Sequence, residues 1–516
     1  MKKLYFGTSV RKAEAPLIAR GASALLMRRA AWGLAHHVLA YLSETAHGAV
    51  YGSRVVGLIG KGKNGADTLW ALSMLAERGV SVEAIAVLGN PEQNAQDAVR
   101  AFHRAGGRFV TALGQRTDVV IDGVLGTGAS GPFSMSAVLA QRGIDRPRPE
   151  TTVIACDIPS GINADTGQLD GDTLTATATV TFGATKTGLL LSAGHQHAGR
   201  VHTVDIGLQE HLSSQPTVWC PDPHDVTTCF PPPRATDYKY SRGVVGIIAG
   251  SEAYPGASLL CSRAVASCGI GMVNLIADPE TVPSLRPLVL GDRPETVVTA
   301  APVPQVTSLV IGPGLDDTST SRQRLDEGLD HAVEHDLPVV IDATGLDLVD
   351  QGWLDRLRLG GTSSRTAPTV LTPHLGEMSR LSQRFVGTEA VPATIGGDKD
   401  ALAWATALAQ ATGCYVVLKA ADTVVATPSG QRGLHPAQSA DLATAGTGDT
   451  LAGLIAVSLA TAWTRTNSPV TEHQVLHHVL AAIHLHGAAA VSARHAGPVS
   501  ASDLAPAVRA VLASRG

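Results

Sequence analysis

Aromatic residues are scarce in this chain, 4% of 516, and charged residues make up only 16%. The charges nearly balance, 40 Lys and Arg against 45 Asp and Glu, with no basic run or aromatic-basic ladder, so no nucleic-acid partner is expected. Cysteine is thin as well. Cys156, Cys220, Cys229, Cys261, Cys268 and Cys414 are scattered with no CxxC pair, and the N-terminal MKKLYFGTSVRKAEA lacks an apolar h-region. A reduced, cytoplasmic protein is expected. No apolar stretch of about 18 residues is read in the chain, so no membrane partner is expected either.

What the chain has in quantity is glycine, 54 residues, set among 44% hydrophobics. That composition describes a turn-rich α/β enzyme, and at roughly 100–200 residues per domain the length calls for two or three domains. After a helical stretch, ALLMRRAAWGLAHHVLAYL, the first half runs RVVGLIG, SVEAIAVLG, TDVVIDGVLG, TTVIACDIPSG and TATVTFG. Each apolar run stops in Gly, Pro or Asp, and several are separated by helix-like sequence, the pattern of parallel βαβ units. Between about 209 and 236 the pattern fails, with prolines at 216, 221, 223, 231, 232 and 233. The reading is a domain over 1–210, a Pro-rich linker over 211–236 and a second domain over 237–516. The second domain restarts as strand, Gly turn and helix in VVGIIAGSEAYPGASLL, and no period of 20 to 50 residues repeats.

Three loops of the first half carry chemistry. LIGKGKNGADTLWAL sets Gly60, Gly62 and Gly65 between a strand and a helix, with Asn64 and Asp67 in the turn. DVVIDGVLGTGASGP ends a strand at Asp122, and VIACDIPSGINADTG ends one at Asp157 and carries Ser160. In a parallel sheet such strand ends share one edge, so Asn64, Asp122, Asp157 and Ser160 are expected to converge on one crevice. Their hard oxygens suit an alkali cation or Mg²⁺, or ribose hydroxyls. Each Asp alone is more simply a turn cap; three such loops together favour a site.

In the second half LATAGTGDTLAGLIAVSLA, residues 442 to 460, delivers Asp449 onto the first turn of an apolar helix behind Gly446 and Gly448. Unpaired N–H groups there attract phosphate. Asp449 is then either a helix cap or the base that deprotonates a hydroxyl about to meet a phosphoryl group. His195, His197 and His202 read as a polar turn before a strand, and His477, His478, His484 and His486 as packing or surface residues of a helix rather than metal ligands.

KGKNGAD, DGVLGTGASGP, DIPSGINADTG and TFGATKTGLLLSAG resemble the NAD(P)H-hydrate epimerase domain. AGSEAYPGASLL, IGPGLDD, LTPHLGEMSRL, VLKAADTVVA, ATAGTGDTLAGL and HLHGAAA resemble the ADP-dependent NAD(P)H-hydrate dehydratase domain. The resemblance covers nearly the whole chain outside 211–236. It implies a Rossmann-like α/β domain followed by a ribokinase-like α/β domain, in a bifunctional enzyme that rescues nicotinamide cofactors hydrated at C6. The first domain would interconvert the R and S hydrates; the second would dehydrate the S form with ADP as phosphoryl donor. By the same resemblance Asn64, Asp122 and Ser160 hold potassium, and Lys63, Asn64, Gly65, Ala66 and Asp67 bind the hydrate. The loop Gly126, Thr127, Gly128, Ala129, Ser130, Gly131 and Pro132 binds it too, with Asp157 as acid/base. In the second domain Ala257, Gly314, His374 and Asp449 meet the hydrate. Lys419, Ala420, Ala421, Asp422, Thr423 and Gly448 meet the nucleotide, Mg²⁺ is implied as cofactor, and a homo-oligomer is expected.

The sequence departs from the family pattern at Ala66, Thr68, DATGL (342 to 346) and Ala420, where a Cβ narrows the loops. A ribokinase-type small-molecule kinase shares the GTGD turn and is the alternative. A Rossmann dehydrogenase is disfavoured because SVEAIAVLGN ends in Gly89 and Asn90, not an acid.

Overall fold

The computed structural model describes residues 1–44, 50–129, 131–213, 215–277, 283–359, 366–387, 401–465 and 469–514. The chain divides into two compact units, Lys3–Val218 and Trp219–Gly516 with Met1–Lys2.

The first unit is built on a seven-stranded sheet in the order Arg200–Val204, Ala178–Phe182, Thr152–Cys156, Val119–Gly123, Arg54–Ile59, Ser81–Ala86 and Arg108–Phe109. Every neighbouring pair is parallel. Val119–Gly123 and Ala178–Phe182 are buried along their whole length, the expected state of strands covered on both faces. One face packs on the helices Ser23–Glu44, Lys63–Ala76 and Gln96–Arg104, the other on Met135–Gln141. Strand order reverses between Arg54–Ile59 and Val119–Gly123, which opens a crevice at their C-terminal ends.

The sheet of the second unit repeats that logic. From Tyr415–Leu418 it runs in parallel through Thr369–Leu371, Val339–Ile341, Ser308–Ile311, Val244–Ile248, Met272–Ile276 and Val297–Thr299. On the other side an antiparallel meander adds Thr423–Ala426 and Arg432–His435. Its reversal lies between Val244–Ile248 and Ser308–Ile311.

The expected linker over 211–236 is corrected. Val218–Cys220 is a strand in register with Arg432–His435, and Pro223–Cys229 is a helix. Pro223 takes the first helical position, where its missing N–H costs nothing, and Asp222 and Asp225 close a capping box. Val226, Cys229 and Phe230 then enter the core of the second unit. Phe230→Ala should accordingly destabilise that unit by about 3–5 kcal/mol, measured by chemical unfolding; an unchanged midpoint would return the segment to linker status.

The reading that no apolar stretch has membrane length is corrected as well. The helix Glu472–Arg494 is long and apolar enough, with mean hydropathy 1.3 over 18 residues, and 72% of that window is buried. Its length is explained by packing against Thr447–Arg465 and Ala501–Ala513 in the core.

Candidate active sites

In the first unit the loops after Arg54–Ile59 and Val119–Gly123 touch backbone to backbone. A Cβ on Gly60 would stand 1.8 Å from the Val124 carbonyl oxygen, so only glycine permits the approach. Asn64, in the first turn of Lys63–Ala76, donates from Nδ2 to the carbonyls of Leu125 and Cys156, both at 2.9 Å. Ser160 donates from Oγ to Asp122 Oδ1 at 2.6 Å and from N to Oδ2 at 2.8 Å, and its Oγ accepts from Leu125 N at 2.8 Å. Asn64, Asp122 and Ser160 therefore meet around Leu125. Burial pushes the Asp122 carboxyl up, and the bonds from Ser160 oppose that shift.

Asp157 holds a left-handed φ of +66°, unusual for a residue with a side chain. Its Oδ1 accepts from Lys186 Nζ at 2.6 Å and Thr181 Oγ1 at 3.2 Å, and its Oδ2 from Thr127 N at 3.2 Å and from Thr127 Oγ1. Burial alone would raise this carboxyl, but Lys186 and Thr127 hold it below the usual carboxylate range. Lys186 spends its remaining donors on Thr181 Oγ1 and the Phe182 carbonyl. The helix Gly7–Ala19, not anticipated from the sequence, brings Arg11 to the Thr127 carbonyl. Gly128, Ala129, Gly131 and Pro132 form an exposed, open stretch; Ser130 lies outside the described residues. Ala66 does not narrow a loop, because it is helical and packs in the core.

In the second unit Asp449 sits in the first turn of Thr447–Arg465, and Gly446 before it has φ +86°. A Cβ on Gly448 would stand 3.3 Å from Lys419 Nζ and 3.6 Å from Asp342 Oδ2. Lys419 is paired with Asp342 Oδ1 at 2.5 Å, and Thr372 donates to the same oxygen at 2.8 Å. Burial pushes Asp449 up to about 7, with the Asp342 charge adding and Lys419 opposing. A carboxylate tuned there accepts a proton at neutral pH and returns it readily.

The other expected residues of this unit group around that centre or away from it. His374 bridges in parallel to Lys419 and caps Leu375–Phe385, accepting at Nδ1 from Gly376 N and Glu377 N. Ala257 and Gly314 adjoin one another at the reversal point, since a Cβ on Gly314 (φ +63°) would lie 2.5 Å from Ala257 Cβ. Asp422 accepts from Ala437 N at 3.0 Å, which fixes the turn of Ala420, Ala421 and Thr423. His477 binds Asp225 Oδ1 at 2.8 Å, His478 bonds Ser458 Oγ, and His484 bonds Gln438, all packing contacts. No group of three His, Cys, Asp or Glu residues fit to hold a metal occurs among the described residues.

Sequence reasoning missed Lys186, Asp342 and Arg11. Lys186 stood in the quoted TFGATKTG, and Asp342 ends the apolar run PVVID, the same strand-end signal that flagged Asp122.

A family model described as NAD(P)H-hydrate dehydratase matches residues 245–508, and one described as YjeF-related protein N-terminus matches 23–188. The bifunctional NAD(P)H-hydrate repair enzyme of Mycobacterium tuberculosis is 38% identical over 466 residues, 89% of each chain. That of Mycobacterium leprae is 38% identical over 468 residues, again 89% of each. An ADP/ATP-dependent NAD(P)H-hydrate dehydratase from Bacillus subtilis, co-crystallised with ATP/Mg²⁺, is 26% identical, with a TM-score of 0.45 over 58% of this chain and 99% of that one. With both domain models in order and the mycobacterial identity spanning nearly the full length, the chain belongs to the family of bifunctional NAD(P)H-hydrate repair enzymes.

Proposed function

We propose that the chain repairs hydrated nicotinamide cofactors. The first unit interconverts the R and S hydrates, and the second dehydrates the S form at the expense of a nucleotide phosphoryl group. The observation that carries the second activity is Asp449, a carboxylate near pKa 7 beside Gly446–Gly448 and the Asp342–Lys419 pair. Hydroxide is a poor leaving group and phosphate a good one. Asp449 takes the proton of the C6 hydroxyl as it attacks the phosphoryl group and the helix-start amides face the transferred charge; the C6–O bond then breaks to release phosphate while C5 gives up a proton to the departing phosphate or to water, which restores the C5=C6 double bond. Mg²⁺ would ride on the nucleotide phosphates, which suits a site lacking three ligating side chains among the described residues.

In the first unit Asp157 serves as acid/base, and the Gly126–Pro132 loop together with the start of Lys63–Ala76 binds the hydrate. Asn64, Asp122 and Ser160 offer hard oxygens around Leu125, a donor set that fits potassium and not a soft metal. Exchanging potassium for lithium should weaken hydrate binding to this unit; equal affinity in both salts removes the cation from the site.

The deciding experiment is recovery of the reduced-nicotinamide absorbance from purified S hydrate with ADP, ATP or neither. Recovery that requires a nucleotide supports the reading. A stable phosphorylated product without recovery would make the second unit a ribokinase-type kinase instead.

A further inference from the structure

A cavity of about 390 Å³ opens at the C-terminal ends of Ser81–Ala86 and Arg108–Phe109, on the opposite flank of Arg54–Ile59 from Asp122 and Asp157. That volume lies in the range of small-molecule sites. Ile85, Phe109 and Ile144 give it an apolar wall, and Asn90, Glu92 and Arg142 line it with polar groups. Among the described residues, none of Asn64, Asp122, Asp157 or the 126–132 loop lines it, so the acid/base chemistry proposed above has no place there. It nonetheless adjoins the hydrate stretch. Val87 N donates to the Ile59 carbonyl at 3.0 Å, and a Cβ on Gly89, the neighbour of Asn90, would stand 2.5 Å from Lys61 Cβ. Lys61 is exposed and stands two positions before Lys63, itself exposed, which begins Lys63–Ala76.

Resting on the reading of the first unit as hydrate-binding, we propose that this cavity receives the adenosine half of the dinucleotide hydrate. A hydrated nicotinamide cofactor is two nucleotides joined by a diphosphate, and Asn64, the 126–132 loop and Asp157 serve its nicotinamide end. The strand order decides where the rest goes. From Thr152–Cys156, which Asp157 follows, to Ser81–Ala86 is three strand spacings, about 14 Å. A molecule held extended with its hydrated ring at Asp157 therefore crosses the reversal point toward the cavity, as dinucleotides do in doubly wound sheets. Its diphosphate passes Lys61, Lys63 and the first amides of Lys63–Ala76, where the N-cap Gly62 has open space around it.

Adenine suits these walls. It is flat, uncharged and apolar on both faces, with polar atoms at its edge alone, so Ile85, Phe109 and Ile144 meet its faces without stranding a charge. Arg142 adds a planar guanidinium of the kind that stacks on aromatic rings. Asn90 and Glu92 are held in one turn, where Asn90 Oδ1 accepts from Glu92 N at 3.0 Å, and they offer polar atoms to the purine edge or the ribose hydroxyls. The cavity touches no reacting atom. Its contribution is to binding shared by ground and transition states, which appears in KM and leaves kcat alone.

The test uses the full-length enzyme without a phosphoryl donor, so that dehydration is silent, and follows R/S interconversion by chiral chromatography. Two substrates are compared: the hydrate of NADH and the hydrate of reduced nicotinamide mononucleotide, which lacks the adenosine half. Thr111 is exposed and lines the cavity, so Thr111→Trp fills it without disturbing the core. That variant should raise KM for the dinucleotide hydrate on the order of tenfold to a hundredfold, the scale of losing one base stack, with kcat kept. Its kinetics on the mononucleotide hydrate should match wild type, and Arg142→Ala should show the same contrast in milder form. Calorimetry with ADP-ribose, the substrate without its nicotinamide ring, should count one fewer molecule bound per chain in Thr111→Trp than in wild type. An unchanged count, or KM shifts equal on both hydrates, overturns the proposal and leaves the Asp157 reading intact. If wild type interconverts neither hydrate while the count still falls in Thr111→Trp, the epimerase reading is the one that fails and the cavity assignment stands.

Discussion

Asp449→Asn should abolish nucleotide-dependent dehydration while the second unit stays folded. The amide keeps the size and an acceptor oxygen of the carboxylate but takes no proton, so a loss on the order of 10²–10⁴-fold in kcat is expected for a general base. In the wild type the rate should rise as pH increases through about 7, where Asp449 ionises, and this limb should vanish in the variant. Asp342→Asn provides the complementary measurement. Removing the neighbouring negative charge, which is the second contribution raising Asp449 after burial, should move the limb toward acid. Near-normal turnover of Asp449→Asn with unchanged melting would reduce Asp449 to a helix cap.

Lys186→Met should destabilise the first unit by about 3–5 kcal/mol, the scale for removing one partner of a buried ion pair. Lys186 is 2% exposed, and its ammonium meets Asp157 at 2.6 Å with two further acceptors. The sign with pH is set by Asp157. In the wild type its carboxyl lies below its unfolded value, so the pair stabilises above that value and the benefit fades as pH falls through the folded one. Without Lys186, only the bonds from Thr127 oppose burial, so the variant carboxyl lies higher than in the wild type and keeps less of that benefit at neutral pH. The gap between the two proteins should thus narrow as pH approaches 4. Hydrogen exchange on Val119–Gly123 and Thr152–Cys156 localises the effect to this unit; a constant gap across pH would mean that packing, not charge, holds Lys186.

The strand ends and their glycine turns were legible because that signal is local. Gly60, Asn64, Asp122, Asp157 and Asp449 each sit within a few residues of the apolar run that positions them, so reading the runs located them. The partners that tune these groups were not legible. Lys186 reaches Asp157 across 29 positions and Lys419 reaches Asp342 across 77, and no local periodicity encodes such a pairing. Burial was hidden too: Asp67 looked like any turn acid in KNGAD until the helices Gly7–Ala19 and Ser23–Glu44 closed over it. The misread segment 211–236 failed for a different reason. Proline frequency signals irregular chain, whereas Pro223 begins a capped helix whose apolar face is core.

The shared strand order of the two sheets has a practical side for anyone labelling this enzyme. Chemistry gathers where the parallel strands finish, which leaves the turns where they begin as spectators. In the first unit Gly52 and Gly106 occupy such turns, one just ahead of Arg54–Ile59 and the other just ahead of Arg108–Phe109, with positive φ and open space around each. A fluorophore-bearing loop or an affinity peptide spliced at either turn would sit at the far edge of the sheet from Asn64 and Asp157. Those turns are the natural handles for immobilising the protein on a surface or reporting on its first unit during turnover.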